Sequence, residues 1–227
     1  MKYKLIVTAS GSGKRIGTEV PKQFLLINKK PIIFYTIEQF YKYSPDIEII
    51  ITLNENYISY WNNLIKEYNF NIKHRIVKGG ITRYDSVKNA IKTINESCLV
   101  AVHDAVRPFV SINTISRCFA VAEKKGNAVP YIEISDSIRH IDKGANSSVE
   151  RSKFVKIQTP QIFNINLIKK AYSNNNCIEC TDDASLVESI NEKIHLVKGN
   201  IENFKITTQY DLKISELYTY SYKKINV

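Results

Sequence analysis

Through the first 130 or so residues, short runs rich in Ile, Val and Leu alternate with stretches whose apolar residues recur at helical spacing, and this alternation restricts the chain to few folds. Strands are expected at 4–8, 47–53, 73–77, 98–103 and 127–132, each ending near turn or polar residues. Between them Ile33, Ile37, Phe40 and Tyr41, then Val87, Ala90, Ile91 and Ile94, then Ile112, Ile115, Phe119 and Ala122 each line one face of a helix. Strand and helix in this order describe an α/β fold with a doubly wound, mostly parallel sheet joined by right-handed crossovers. Ligands in such sheets bind beyond the carboxyl ends of the strands. With 227 residues the chain is read as one domain, 1–227.

The pattern changes after residue 130. Ile132 to Arg139 alternates with period two, Asp142-Lys143-Gly144 reads as a turn, and Ser148 to Gln158 resumes strand-like residues. This predicts a β-hairpin arm over 131–158 that projects from the frame. Its apolar content is low, so its expected partner is a second copy of the chain, giving a homodimer. A final helix is expected at about 209–222.

Charge narrows the function. Lys and Arg outnumber Asp and Glu by 32 to 22, a net charge of +10, which favours anionic partners. Of the seven arginines, Arg15, Arg83, Arg107 and Arg151 fall in or beside the motifs below, and their forked donors suit phosphate oxygens better than scattered lysines do. Phosphorylated metabolites are therefore favoured over nucleic acid. No segment approaches the roughly 18 apolar residues of a membrane span, and no basic-then-apolar leader is seen, so the expected location is cytoplasmic. Cys98 and Cys118 read as buried thiols; no disulfide framework is expected, and Cys177-Ile178-Glu179-Cys180 reads as an ordinary loop.

The chemistry-bearing residues lie at the strand ends. Leu5 to Thr8 runs into Ala9-Ser10-Gly11-Ser12-Gly13-Lys14-Arg15-Ile16-Gly17, followed by Pro21-Lys22-Gln23. Closely spaced glycines bring backbone N–H groups against a phosphate, and Arg15 and Lys22 add charge. The loop lacks the Gly-Lys-[Ser/Thr] of a Walker loop and the spacing of a dinucleotide fold. Gly79-Gly80-Ile81-Thr82-Arg83-Tyr84-Asp85-Ser86 follows the third strand; it could present backbone to a base, or be only a loop with Thr82 capping a helix. His103-Asp104-Ala105-Val106-Arg107-Pro108 follows the fourth. Asp104 and Arg107 there are a structural ion pair or a site for metal, sugar or phosphate, and His103 reads as a hydrogen-bonded structural residue. Asp136-Ser137, Arg151 and Gln158-Thr159-Pro160-Gln161 form a fourth cluster. The fifth is Thr181-Asp182-Asp183 with Asn203 to Thr207, where helix capping is the plain reading of the aspartates.

In their order and spacing the five clusters resemble one family over essentially the whole chain, the 2-C-methyl-D-erythritol 4-phosphate cytidylyltransferases of the non-mevalonate isoprenoid pathway. The resemblance implies a nucleotidyltransferase fold of Rossmann-like type and a homodimer whose arms complete each other's sites. It also implies transfer of CMP from CTP to a polyol phosphate, with Mg²⁺ as cofactor and pyrophosphate released. It assigns Arg15, Lys22 and Lys205 to catalysis, and Ala9, Ser10, Gly11, Gly80, Ile81, Ser86 and Ala105 to the nucleotide. Asp104, Arg107, Ser137, Arg151, Thr159 and Lys205 would hold the acceptor, with Arg107 and Ser137 reaching a neighbouring subunit's site. The metal's ligands are not assigned. The chain departs from the family's usual residues at Ser10, where Ala or Gly is common, at Val106 and at Ser137.

Three other readings stay open at this point. Relatives that make CDP-ribitol from ribitol 5-phosphate share several motifs, although Thr181 to Glu188 leans toward methylerythritol phosphate. A nucleic-acid-binding module would use the basic surface, against which Asp104 and Asp182-Asp183 argue. A catalytically silent dimeric scaffold is a third possibility.

Overall fold

The structure is a computed structural model that describes residues 1–11, 20–174 and 180–225, with side chains through 220. At its centre lies β1 (Lys2–Ala9), flanked by parallel neighbours on both sides. It leads through a two-stranded ribbon, β2 (Leu26–Ile27) and β3 (Lys30–Pro31), into α1 (Ile32–Tyr43), then β4 (Glu48–Leu53), α2 (Ile58–Glu67), β5 (Arg75–Lys78), α3 (Arg83–Lys92) and β6 (Cys98–Asp104). The parallel core of the sheet runs β5-β4-β1-β6.

Alternate residues of these strands serve two apolar layers, as the pleat requires. Leu5 and Val7 of β1, Ile49 and Ile51 of β4, and Leu99 and Ala101 of β6 join one layer with Phe34, Ile37 and Phe40 of α1 and Trp61 of α2. Ile6, Ile50, Val100 and Val102 face the other, against Val87, Ala90 and Ile91 of α3. Strands covered on both faces read as unbroken apolar runs, which is why these five-to-eight-residue segments stand out in the sequence. The expected boundaries hold to within about two residues.

Beyond β6, α4 (Ile112–Lys125) adds Ile115, Cys118 and Phe119 to the first layer. Ser111 caps its first turn by accepting from the Thr114 N–H, and Gly126 ends it in the left-handed region at φ 84°. The chain continues into β7 (Asn127–Glu133), β8 (Arg139–Asp142), β9 (Ala145–Ser148), β10 (Val155–Ile157), β11 (Gln161–Asn164), α5 (Ile165–Ser173), α6 (Asp183–Glu188), β12 (Leu196–Lys198) and α7 (Gln209–Ile225). β11 inserts antiparallel between β6 and β7, while β10 and β12 pair with β7. The sheet is therefore mostly parallel with antiparallel additions on one side.

The period-two segment does not run as one strand into the expected hairpin. β7 stops at Glu133 and pairs with β10, and a separate distal hairpin is made by β8 and β9, closed by Lys143 (φ 45°) and Gly144 (φ 88°). All eight residues of β8 and β9 are exposed. Cys98 and Cys118 are buried free thiols, as expected. Cys180 is disulfide-bonded, which corrects the reading of that segment as an ordinary loop; Cys177 lies outside the described residues. No helix among the described residues is long and apolar enough to cross a membrane.

Candidate active site

The parallel register sets the site. Thr8 lies opposite Asp104, Ala9 opposite Leu53, and Leu53 opposite Lys78, so the segments leaving β1, β5 and β6 emerge side by side. Between them opens a cleft of about 220 Å³ lined by Thr8, Ser10, Gly11, Lys22, Gln23, Ile81, Thr82, Arg83, Asp104, Ala105, Val106 and Lys205. A larger groove, about 620 Å³, lies between α1, the start of α4 and α7. It sits away from these strand ends, and its Lys30 is ion-paired with Glu38, so the smaller cleft is the site.

Asp104 is the charged centre. Its side chain is 8% exposed and meets three cations: Lys205 Nζ at 3.0 Å, Arg107 Nε at 3.2 Å and Arg83 Nε at 3.5 Å. Burial opposes its ionisation, but Lys205, Arg83 and Arg107 together hold the carboxyl far below the usual carboxylate range. Arg83 is likewise desolvated, yet Asp183 and Asp104 raise its pKa and keep it charged. Its Nη2 donates to Asp183 at 2.7 Å, and the Tyr172 hydroxyl donates to the other oxygen of that fully buried carboxylate. This bridge joins α3, α6 and the end of β6.

His103 anchors Asp104 from behind. The ring is fully buried, and burial lowers its pKa to about 4, so it is neutral at pH 7. Nε2 lies 3.0 Å from the Arg107 carbonyl, which can only accept, so the proton is on Nε2 and Nδ1 accepts from the Thr159 hydroxyl at 3.0 Å. Thr159 Oγ1 in turn accepts from the Asp104 N–H at 3.2 Å. The structural reading of His103 therefore holds.

The base-side loop is fixed by close packing. A Cβ on Gly79 would stand 2.4 Å from Ser10 Cβ and 3.2 Å from the Leu53 carbonyl, so only glycine lets the two segments touch. Thr82 caps α3 in a capping box with Asp85. Ser86, fully buried, lies beneath Gly80 and accepts from its N–H at 3.0 Å.

Of the residues expected at the site, Ser10, Gly11, Lys22, Ile81, Asp104, Ala105 and Lys205 line one cleft. Ala9 and Ser86 stand buried at its wall, next to Ser10 and Gly80. Arg15 lies outside the described residues. Ser137 and Arg151 do not line the cleft; Arg151 donates to the Ser135 carbonyl within the arm. Arg107 is turned into its own chain, donating to the Asn203 carbonyl at 2.8 Å as well as pairing with Asp104, instead of reaching outward as expected. The Thr159 hydroxyl is likewise engaged inside the protein. Of the paired aspartates, Asp182 caps α6 while Asp183 pairs with Arg83, so the capping reading holds for one of the two.

Two residues had no assigned role in the sequence reading. Arg83 was visible in its motif, but its partners are remote in sequence. Gln23, 3% exposed, donates through Nε2 to the carbonyls of Ala9 at 2.7 Å and Gly11 at 3.1 Å, which pins the start of the glycine-rich loop. Its place beside Lys22 was the only signal.

With this geometry in view, the comparisons with known proteins are specific. The family model described as IspD, 2-C-methyl-D-erythritol 4-phosphate cytidylyltransferase, matches residues 3–221. The chain belongs to this family. Similar family members include one from Azobacteroides pseudotrichonymphae, 46% identical over 220 residues, covering 95% of this chain and 98% of the relative. Another, from Phocaeicola vulgatus, is 41% identical over 217 residues and covers 96% and 99%. Both carry the family's name. Among solved structures, the 4-diphosphocytidyl-2C-methyl-D-erythritol synthase of Anaerococcus prevotii superposes with a TM-score of 0.83 at 27% identity, covering 96% of this chain and 98% of that one. The family's cytidylyltransferase from Thermus thermophilus gives 0.79 at 28% identity, covering 97% and 100%.

Proposed function

We infer that this chain transfers CMP from CTP to 2-C-methyl-D-erythritol 4-phosphate, giving 4-diphosphocytidyl-2-C-methyl-D-erythritol and pyrophosphate. The observation that carries the reading beyond family membership is the convergence of Lys22, Arg83, Lys205 and Asp104 on one cleft beside the Ser10-Gly11 turn. An oxygen of the acceptor's phosphate attacks the α-phosphorus; a P–O bond forms there as the bond to pyrophosphate breaks. The nucleophile is already anionic at neutral pH, so the protein need not move a proton. Its work is alignment and charge stabilisation.

In this reading Lys22, with Arg15, stabilises charge on the reacting phosphate, and the Ser10-Gly11 and Gly80-Ile81 segments with Ser86 and Ala105 enclose the nucleotide. Lys205 and Asp104 hold the acceptor, the lysine on its phosphate and the aspartate on its hydroxyls. Arg107 and Thr159 act through Asp104, since their own donors are engaged within the chain.

Mg²⁺ belongs to the proposal. The described residues contain no group of three His, Cys, Asp or Glu side chains placed to hold a metal, and Asp104, a carboxylate lining the cleft, is surrounded by cations. This donor set fits a cation that enters on the triphosphate, held by phosphate oxygens and water. It would add charge neutralisation to that of the side chains.

Ser137 and Arg151 are assigned to the acceptor site of a second copy, with the 131–158 arm as the dimer contact. Exposed Ile141, Phe154 and Ile157 support this assignment. A cytoplasmic location is part of the same reading. The test is pyrophosphate release from CTP and Mg²⁺ with methylerythritol phosphate and, separately, ribitol 5-phosphate. Release with the first acceptor is expected; release only with ribitol 5-phosphate, or with neither, would overturn the assignment.

A further inference from the structure

Ser10 stands where the cleft wall changes from the opening loop to the base-side loop, and its hydroxyl has a defined direction. Ser10 Oγ and Ser86 Oγ are 2.6 Å apart, and either could donate if the pair were isolated. The pair is not isolated. Ser86 Oγ lies 2.8 Å from the Thr82 carbonyl, which can only accept, so the single Ser86 proton is spent there. Ser86 also accepts from the Gly80 N–H at 3.0 Å. Ser10 is thus the donor to Ser86, which then holds one donated and two accepted hydrogen bonds and is saturated.

Ser10 lines the cleft, and with its proton turned inward its oxygen offers only lone pairs. Such an oxygen repels a phosphate oxygen, which at neutral pH is itself an acceptor, and suits an N–H or O–H group. The geometry points to Ser10 as a nucleoside-selecting residue, whose oxygen accepts a hydrogen bond from a donor on the nucleoside of CTP and takes no part in holding the phosphates. This deepens, and rests on, the reading of the cleft as a CTP site. Ser10 has a second effect: it closes the acceptor capacity of Ser86, and so holds the Gly80 N–H and the Thr82 carbonyl in fixed positions at the base-side loop. The nucleoside donors available are the 4-amino group of cytosine and the ribose hydroxyls. Both have the required chemistry, and substrate analogues separate them.

The experiment is calorimetric titration of the full chain and of Ser10→Ala with CTP, UTP, 2′-deoxy-CTP and pyrophosphate, with Mg²⁺ and without acceptor so that no turnover occurs. Loss of one hydrogen bond of ordinary strength should weaken CTP binding by roughly 5–10-fold, with pyrophosphate binding within two-fold of the unsubstituted chain. The penalty should vanish for the analogue that lacks the donor: for UTP if the donor is the base amino group, for 2′-deoxy-CTP if it is the ribose 2′-hydroxyl. Unchanged CTP affinity or an equal loss for pyrophosphate would each overturn the inference, whereas the same loss for all three nucleotides with pyrophosphate unaffected assigns the donor to the ribose 3′-hydroxyl. If the unsubstituted chain binds pyrophosphate but no CTP, the nucleotide reading of the cleft falls, and this inference with it.

Discussion

At the residue scale, Asp104 and His103 form a buried pair with opposite tasks, one kept charged by three cations and the other kept neutral by its surroundings. Both make the fold acid-sensitive, in separate windows. An unfolded histidine takes up a proton below about pH 6.5, whereas folded His103 resists until about 4, so stability should fall between those values by about 3 kcal/mol. Asp104 has a depressed folded pKa, so its contribution is complete above the unfolded value of about 3.9 and is lost as pH falls below it. Urea unfolding from pH 7 to 3 should therefore show a first decline ending near pH 4 and a second beginning there. A flat profile down to pH 4 would contradict the neutral, buried His103. Lys22 faces a different demand, since its charge is needed where the reaction develops negative charge. Lys22→Ala should lower kcat roughly 100-fold or more, as losing one oxyanion donor does; steady-state pyrophosphate release measures it.

Among the elements, the Arg83 bridge is the least expected feature. It ties the first turn of α3 to α6 and to the end of β6, and Asp183 at its far end is fully buried. Arg83→Met would leave that carboxylate without its cation and should cost about 3–5 kcal/mol in urea unfolding. Gly80→Ala tests the neighbouring loop: the new Cβ would stand 2.1 Å from Asp85 Cβ and 3.0 Å from backbone, so the loop must shift, and KM for CTP should rise about ten-fold or more. The contrast between these two features shows what sequence can reveal. β1, β4 and β6 were legible because strands covered on both faces leave continuous apolar runs, and Asp104 with Arg107 because they are three residues apart. β11 was not, because Ile162 and Phe163 are too few to set a pattern and its place between β6 and β7 is chosen by tertiary pairing. Arg83, Lys205 and Asp104 meet only once the fold closes, and local spacing carries no trace of that. The distal hairpin turns at Lys143-Gly144, where the sequence places a turn, but its strands are shorter than the pattern implies: period-two residues continue past Glu133, while the backbone leaves the sheet there.

For the whole molecule, the proposed dimer turns on the 131–158 arm. Removing the β8–β9 hairpin, whose residues are all exposed, should leave the buried frame folded while converting a dimer to a monomer in sedimentation and reducing turnover sharply. A deletion variant that sediments and turns over like the full chain would dissociate the arm from both roles. The frame itself has a property set by its charges. Among the described residues around Asp104, the three cations Arg83, Arg107 and Lys205 face two carboxylates, Asp104 and Asp183, so one positive charge is left over beside the cleft. An arriving phosphate dianion would neutralise that surplus. Ligand affinity and thermal resistance are then two readings of the same imbalance: acceptor phosphate should raise the melting temperature, and should raise it less in high salt, where the surplus is already partly screened.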